Sequence, residues 1–475
     1  MTTTQPTSTV DAVASASADG AELLVPVEER TSPAREFMWI WHSAQFSFGV
    51  VVLGSVPVTF GLSWWGSVSA VLVGLLIGTF AFAPLARFGM RTGATDAVSS
   101  AAHFGVRGRL ITNLITLCVA IGFFAIAVWT GSTAVLAAGK RLIGTPTGPG
   151  ALAVVIPLVA AAVVAVAVFG YGVLLATYKI VTVVGGLVLL AMVVVLAPHF
   201  DAGYHGGQLA LGGFWQTWLL GVTFAATIPL SYATLQGEYS SHVAPKVSDR
   251  SAVLWNGVGM YLSNAIALSV GIFATTMFAG STAPWVIALT DTVPAWFAVF
   301  VVVFGFVGTL PQGALCIYAA GITANTIARR ASRVACTLVM SVVGVGVLYL
   351  GAVAYNAIDS ISTFVLLLLA LIAPWAAIML VGFGLRRGRY APEELLTPHG
   401  RYWFSGGVNL RAVAAFLPAV ALGLLLTSNT IYTGPLANLA GGIDLSSVVP
   451  FLVAGGLYYL LCRISPERAA AHDLV

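Results

Sequence analysis

GVTFAATIPLSYATLQGEYSSHVAP, residues 221–245, begins as an apolar run of the kind that crosses a membrane and then stops behaving like one. Thr227, Pro229, Ser231, Tyr232 and Thr234 crowd its middle, and Gln236, Gly237 and Glu238 follow. Proline has no N–H to donate, and its ring crowds the carbonyl one turn earlier, so a continuous helix is not expected through Pro229. In hydrocarbon a freed main-chain group is tolerated only where protein or a cavity satisfies it. A span interrupted in this way is expected to border a solute site near the mid-plane, with half-helix ends facing the solute. Close packing alone can also place a proline kink.

The whole chain supports the membrane reading. Its 475 residues are 59% hydrophobic and 8% charged, with mean hydropathy +0.95, whereas soluble domains carry about 25% charged residues. A window of about 20 residues finds about twelve spans. They fall near 37–60, 67–88, 109–139, 152–170, 173–197, 214–236, 252–278, 293–327, 333–355, 360–384, 409–430 and 446–463. The segments are long and apolar all round, without the alternation of a barrel strand, so the fold class is an all-α polytopic membrane protein. Residues 1–36 read as an unstructured polar tail without the basic-then-apolar order of a cleaved signal. Residues 37–463 form the transmembrane transporter domain, and 464–475 a short C-terminal tail.

Charge sorts the connections. Of the 21 lysines and arginines, only Lys140 and Arg141 fall on one side when alternate connections are assigned to opposite faces. That asymmetry places both termini in the cytoplasm of a multi-pass protein of the cell membrane. The basic residues sit in short clusters between apolar segments, which excludes nucleic acid as a partner and leaves the lipid bilayer and a small solute. Cys118, Cys316, Cys336 and Cys462 have neither metal-ligand spacing nor a disulfide framework. No GxxxxGK[ST] loop or hydrolase motif is found, so neither an enzyme nor a bound cofactor is expected.

The first span, MWIWHSAQFSFGVVVLGSVPV, is as irregular as the sixth. His42, Gln45 and Gly49 share one helix face at i, i+3 and i+7. Buried polar side chains in a membrane usually face the protein interior or a cavity. His42 reads either as a hydrogen bond to a neighbouring helix or as a proton relay. Gln45 offers a donor and an acceptor together, which suits a planar heterocycle. In the third span Phe123, Phe124 and Trp129 could form a stacking wall or simply pack. The basic, Gly-rich connection before it could be a gate or a solvated loop. In the eighth span Thr309, Gln312 and Cys316 repeat the i, i+3, i+7 spacing, and Gln312 is a second mid-membrane amide. Spans 1 and 6 stand five apart and both are interrupted, which points to an inverted-repeat secondary transporter. A channel or membrane receptor is the remote alternative.

Several stretches carry a resemblance to a known family. WHSAQFSFGVVVLGS (41–55), PLARFGMRTGATDAVSSAAHFGVRG (84–108), SYATLQGEYSSHVAP (231–245), GGVNLRAVAAF (406–416), and TGPLA with GGIDLS (within 433–446) resemble the nucleobase–cation symporter family, in its purine–cytosine permease branch. The resemblance implies a five-plus-five inverted repeat with discontinuous helices 1 and 6, plus two C-terminal helices. It implies symport of a nucleobase such as cytosine or a purine, with the substrate among spans 1, 3, 6 and 8. Gln45 would meet the base, Phe123 and Tyr232 would sandwich it where the family usually has tryptophans, and Ser231 and Gln312 would complete the site. Glu238 would take the place of the acidic residue of the sixth-span motif, for gating or an ion pair. Ala127 stands where the family often has an amide, and Gln312 stands in for an asparagine. Thr309 would be the remnant of a hydroxyl pair that completes a sodium site. These departures favour proton over sodium coupling, with His42, Glu238 or Asp359 as carrier. They also keep open an allantoin-, hydantoin- or vitamin-like ring as substrate.

Overall fold

The computed structural model describes residues 23–466 apart from 170, 282, 355–356 and 428–431, and leaves aside the side chains of 352–366. The expected carrier Asp359 and most of the C-terminal tail therefore lie outside the described residues. Among the described residues, twelve apolar helices follow in order. They are α1, broken into Glu36–Gln45 and Phe48–Thr59, α2 (Trp64–Phe82), α3 (Leu110–Ile143), α4 (Pro149–Val168), α5 (Tyr171–Leu196) and α6 (Phe214–Ser231). Then come α7 (Asp249–Met277), α8 (Ala298–Ile327), α9 (Arg333–Ala354), α10 (Ala357–Arg386), α11 (Leu410–Leu426) and α12 (Val448–Ile464). Among the described residues only isolated bridges, and no strand, interrupt this all-helical order.

The packing is an inverted repeat. α3 lies on α8 and α2 on α7, each helix against the one five places on. Most other principal contacts among α1–α10 have a counterpart when five is added or subtracted, among them α1 with α7 and α6 with α2, α1 with α5 and α6 with α10, and α3 with α4 and α8 with α9. An odd number of crossings per unit starts the second unit from the opposite face, so the two halves are inverted. α11 and α12 pack on each other and on α10, outside this scheme. Polar side chains turn inward and large apolar ones outward. Gln45, Ser47, Asn256, Asn264 and Gln312 are buried, whereas Phe80, Leu158 and Val342 are exposed on the hydrocarbon side.

One expectation needs correction, and one open alternative falls away. The stretch through residue 36 was expected to be an unstructured tail, yet the chain is structured from Leu23 onward. The Val25 N–H donates to the Gly93 carbonyl at 2.8 Å, the Ser32 N–H to the His242 carbonyl at 3.0 Å, and the Ala244 N–H to the Ser32 carbonyl at 2.9 Å. Polar composition does not prevent order where main-chain groups find partners in other segments. The connection between α2 and α3 is not a solvated loop either. It folds into short helices, Asp96–Ser99 and Ala101–Phe104, whose residues are all buried.

The interruption of α6 also differs from that of α1. Pro229 stays inside the helix, and regular structure ends at Tyr232, passing into a 3-10 turn (Ala233–Leu235) and a short helix (Gly237–Ser240). The two halves of α1, by contrast, are bent by 71°.

α1 reaches α7 through glycines. A Cβ on Gly271 would overlap the Val51 carbonyl, and one on Gly54 would overlap the Leu268 carbonyl. Small residues at such crossings let two backbones touch, which is how membrane helices gain packing energy. Gly271→Leu is expected to cost about 1–3 kcal/mol or more through overpacking against backbone that cannot yield. Gly346→Ala, whose Cβ meets nothing within 4 Å, is the control. Melting temperatures and monodispersity of the purified variants check the difference.

Candidate functional site

Ten residues of helix carry the chain about 15 Å, half of a hydrocarbon layer about 30 Å thick. The first half of α1 is that long, and its break therefore falls at mid-depth. Phe46 (φ −80°, ψ 64°) and Ser47 (φ −140°, ψ 153°) leave the helical conformation before the second half begins at Phe48. The Phe46 N–H still donates to the His42 carbonyl at 2.9 Å, and the Ser47 carbonyl accepts from Val50 and Val51.

Ser47 occupies the N-cap position of the second half but does not spend its hydroxyl there. It donates to Gln312 Oε1 of α8 at 2.5 Å. Gln312 Nε2 donates in turn to the Tyr232 hydroxyl at 3.3 Å. One amide thus ties α1, α8 and the end of α6. Gln312 fits because residue 49 is glycine, where a Cβ would stand 3.0 Å from Oε1.

Gln45 closes the first half of α1 and is wholly buried. Its Nε2 contacts the Met260 thioether at 3.7 Å and the side chain also reaches the Tyr232 hydroxyl, while its Oε1 accepts no well-formed hydrogen bond. A buried amide left this way costs about 1–3 kcal/mol, which singles out Gln45 as polarity available to a ligand.

The Tyr232 ring stacks on Phe123, with centroids 5.0 Å apart and planes at 27°, and the Trp41 edge meets it at 6.0 Å. The expected sandwich is therefore closed on itself, since two faces that hold a third ring must stand about 7 Å apart.

The other expected residues lie outside this cluster. Ser231 turns its hydroxyl back to the Thr227 carbonyl at 2.9 Å. Thr309 donates to Gly305 at 2.6 Å and to Ala127 at 3.2 Å, so it faces α3 and not the break in α1. His42 pairs Nδ1 with the Met38 carbonyl at 2.8 Å and sets its ring against Phe46, whose own ring lies on Gly185 and Gly186 of α5. Glu238 is buried on the short helix beyond α6, at the end of the bundle that also carries Asp96.

Sequence reasoning missed three parts of this core. Ser47 had a legible signal, a hydroxyl two residues from Gln45 at the break. Trp41 and Asn256 had none, because their meeting is tertiary: Trp41 Nε1 donates to Asn256 Oδ1 at 2.8 Å. Asn256 Nδ2 donates to Gln236 Oε1 at 2.8 Å and to the Ala83 carbonyl at 3.1 Å. That chain of amides holds Trp41 against Tyr232.

A ten-helix inverted repeat with its first helix broken at mid-depth, and two further helices, defines a secondary-transporter fold. The chain belongs to the nucleobase–cation symporter family, since residues 24–449 match the family model described as permease for cytosine/purines, uracil, thiamine and allantoin. It is therefore a permease and not an enzyme. Among its relatives is YxlA of Bacillus subtilis (strain 168), whose name assigns it to the purine-cytosine permeases, 25% identical over 461 residues and covering 94% of this chain and 96% of that one. Among solved structures, Mhp1, a nucleobase-cation-symport-1 family transporter in a closed conformation with bromovinylhydantoin bound, has TM-score 0.76 at 18% identity. That match covers 95% of this chain and 98% of Mhp1. A Na+-coupled sialic acid symporter matches with TM-score 0.62 at 11% identity, over 96% of this chain and 97% of that one. At these identities the two structures show the shared fold.

Gln312→Ala would strand the Ser47 hydroxyl and remove a donor from Tyr232, at an expected cost of about 1–3 kcal/mol. Tyr232→Phe keeps the stacked ring and gives up one hydrogen bond, for about 1 kcal/mol. Melting curves of the two purified variants should rank in that order.

Proposed function

We propose that this permease is a symporter that takes up a nucleobase, such as cytosine or a purine, together with a proton, by alternating access. The observation that carries the reading is Gln45, a buried amide whose Oε1 has no hydrogen-bond partner, beside the Ser47–Gln312–Tyr232 chain at the mid-depth break. An amide edge of a base offers the donor and acceptor that this cluster lacks. Phe123 and Tyr232 part to admit the ring, and each stacked face contributes about 1–3 kcal/mol, as in single-stranded nucleic-acid binding. Ser231 lies beside Tyr232 and frames the same space once the rings separate.

The lopsided distribution of Lys and Arg supports cytoplasmic termini in the cell membrane. Proton rather than sodium coupling is supported by Thr309, whose hydroxyl is committed to α3, away from the place where a hard cation between α1 and α8 would need oxygen ligands. The buried methyl of Ala127 leaves α3 without an amide at that depth. That favours, as a second reading, a differently decorated ring of the allantoin, hydantoin or vitamin-like kind.

The test is uptake of labelled cytosine, adenine, guanine, hypoxanthine and uracil into cells lacking their own permeases, with and without a protonophore and with and without sodium. Saturable uptake of one base, lost with the protonophore and indifferent to sodium, is expected. Gln45→Ala should abolish that uptake at unchanged membrane expression, and an unaltered apparent affinity in this variant would remove Gln45 from the site. If a well-expressed protein takes up none of the five bases, the second reading replaces the first.

A further inference from the structure

The connection between α2 and α3 meets the segment after α6 at a pair of carboxyl groups. Asp96 opens the short helix Asp96–Ser99 and is 1% exposed, and Glu238 on Gly237–Ser240 is 2% exposed. Asp96 Oδ2 accepts from the Gly237 N–H at 2.6 Å, one residue from Glu238. The approach is possible only because residue 237 is glycine: a Cβ there would stand 2.7 Å from both Cγ and Oδ2 of Asp96. Neither oxygen of Glu238 has a hydrogen-bond partner.

The cations on the adjoining elements are engaged elsewhere. Arg91 pairs with Asp249 at 2.9 Å. Arg87 donates to the Pro84 carbonyl and lies over the Phe383 ring. At the start of α3, Arg109 donates to the carbonyls of Val106, Ala97 and Thr326. Arg30, on the N-terminal segment, serves the Val25 and Thr92 carbonyls. His103 lies between the hydroxyls of Tyr390 and Tyr458. Tyr239, next to Glu238, shares its hydroxyl with Tyr178 at 2.7 Å. On α8, Tyr318 lies under the Arg333 guanidinium, and Cys316 packs toward Tyr232. Among the described residues no ion pair reaches Asp96 or Glu238, and the charge that bears on Glu238 is that of Asp96.

Two buried carboxylates close enough to repel each other are not both expected to stay ionised, because burial denies them water and the charge of one raises the other. Burial pushes the Asp96 carboxyl up to about 7. Burial and the neighbouring Asp96 hold Glu238 well above the ordinary carboxyl range. A proton on Glu238 removes the repulsion and turns one bare oxygen into a donor. That arrangement lasts only while the two segments are packed; once water reaches both groups, the reason to keep the proton is gone.

We propose that Asp96 and Glu238 together form the binding site of the transported proton, held while the α2–α3 connection is packed against the end of α6 and released when these two segments separate. The released species is H+, leaving a carboxylate on Glu238, so the step needs no other reactant. The inference rests on the proton-coupled reading above and gives it a carrier.

The experiment is an infrared pH titration of the purified full-length protein, followed through the C=O stretch of protonated carboxyl groups. The wild type is expected to keep such a band at neutral pH and above, and Glu238→Gln to lose the part that persists above about 7, the value to which burial raises Asp96. Asp96→Asn, the second variant should the first fail to fold, is expected to shift the band's disappearance to lower pH. Melting temperature gives an independent readout. A group with a raised folded-state pKa contributes stability that is complete below its unfolded value and lost as pH rises through the folded one. For Asp96 that window runs from 3.8 to about 7, so wild-type melting should fall across it and the Asp96→Asn profile should flatten.

The titration needs no substrate, so it tests the carboxyl pair even if none of the bases is transported. In proteoliposomes, with the five bases, allantoin and hydantoin as probes, Glu238→Gln should retain exchange and lose accumulation driven by a pH gradient. An unchanged carboxyl band in both variants, or undiminished gradient-driven accumulation by Glu238→Gln, would overturn the proposal.

Discussion

A main chain that leaves its helix inside hydrocarbon must find every hydrogen bond within the protein. Much of this structure depends on how α1 meets that demand. The Ser47 carbonyl takes up two N–H groups of the second half, which frees the Ser47 hydroxyl to bind Gln312 and draws α8 against the break. Gln312 passes the contact on to Tyr232 at the end of α6. The two interrupted helices are thereby joined through a third, and the junction stands at half the membrane's depth.

The inverted repeat makes this junction possible. Because α1 and α6 are counterparts, each packs on the other's neighbour, α1 on α7 and α6 on α2, and their irregular segments meet near the centre. Glycines set the distances: Gly54 and Gly271 let α1 touch α7, and Gly49 leaves room for Gln312. The second tier of polar groups, Asn256 with Gln236 and the Ala83 carbonyl, braces Trp41 behind the stacked Phe123 and Tyr232. Their closed stack and the unpartnered Oε1 of Gln45 are two sides of one state: apolar faces are satisfied by each other, while one polar atom is left without a hydrogen bond.

The basic end of the bundle is built differently. Three segments distant in sequence, namely 23–36, the α2–α3 connection and the stretch beyond α6, are laced by main-chain hydrogen bonds. Their apolar side chains pack into the same core as the spans, and the carboxyls of Asp96 and Glu238 lie on the seam between them. Coupling of the proton to opening would require a group whose solvation changes with that seam, and these are the buried acids positioned to sense it.

The sequence by itself determined the class, the approximate borders of the spans, the break in α1 and the candidacy of Gln45, Gln312, Phe123 and Tyr232. Each rests on local facts: hydropathy over a span length, proline and polar residues inside apolar runs, and short motifs. It misjudged residues 23–36, and left the α2–α3 connection open between a gate and a solvated loop, because polar composition does not say whether main-chain partners exist elsewhere. Only the tertiary structure decided which way a polar side chain faces. Thr309 and Gln312 are three residues apart, yet one serves α3 and the other the break in α1, and His42 turns from Gln45 to its own helix and Phe46. Only the tertiary structure, too, brought Asp96 to Gly237, beside Glu238, across 141 positions of chain. In a membrane the energy of a polar group is set by its partner, and the partner is chosen by packing.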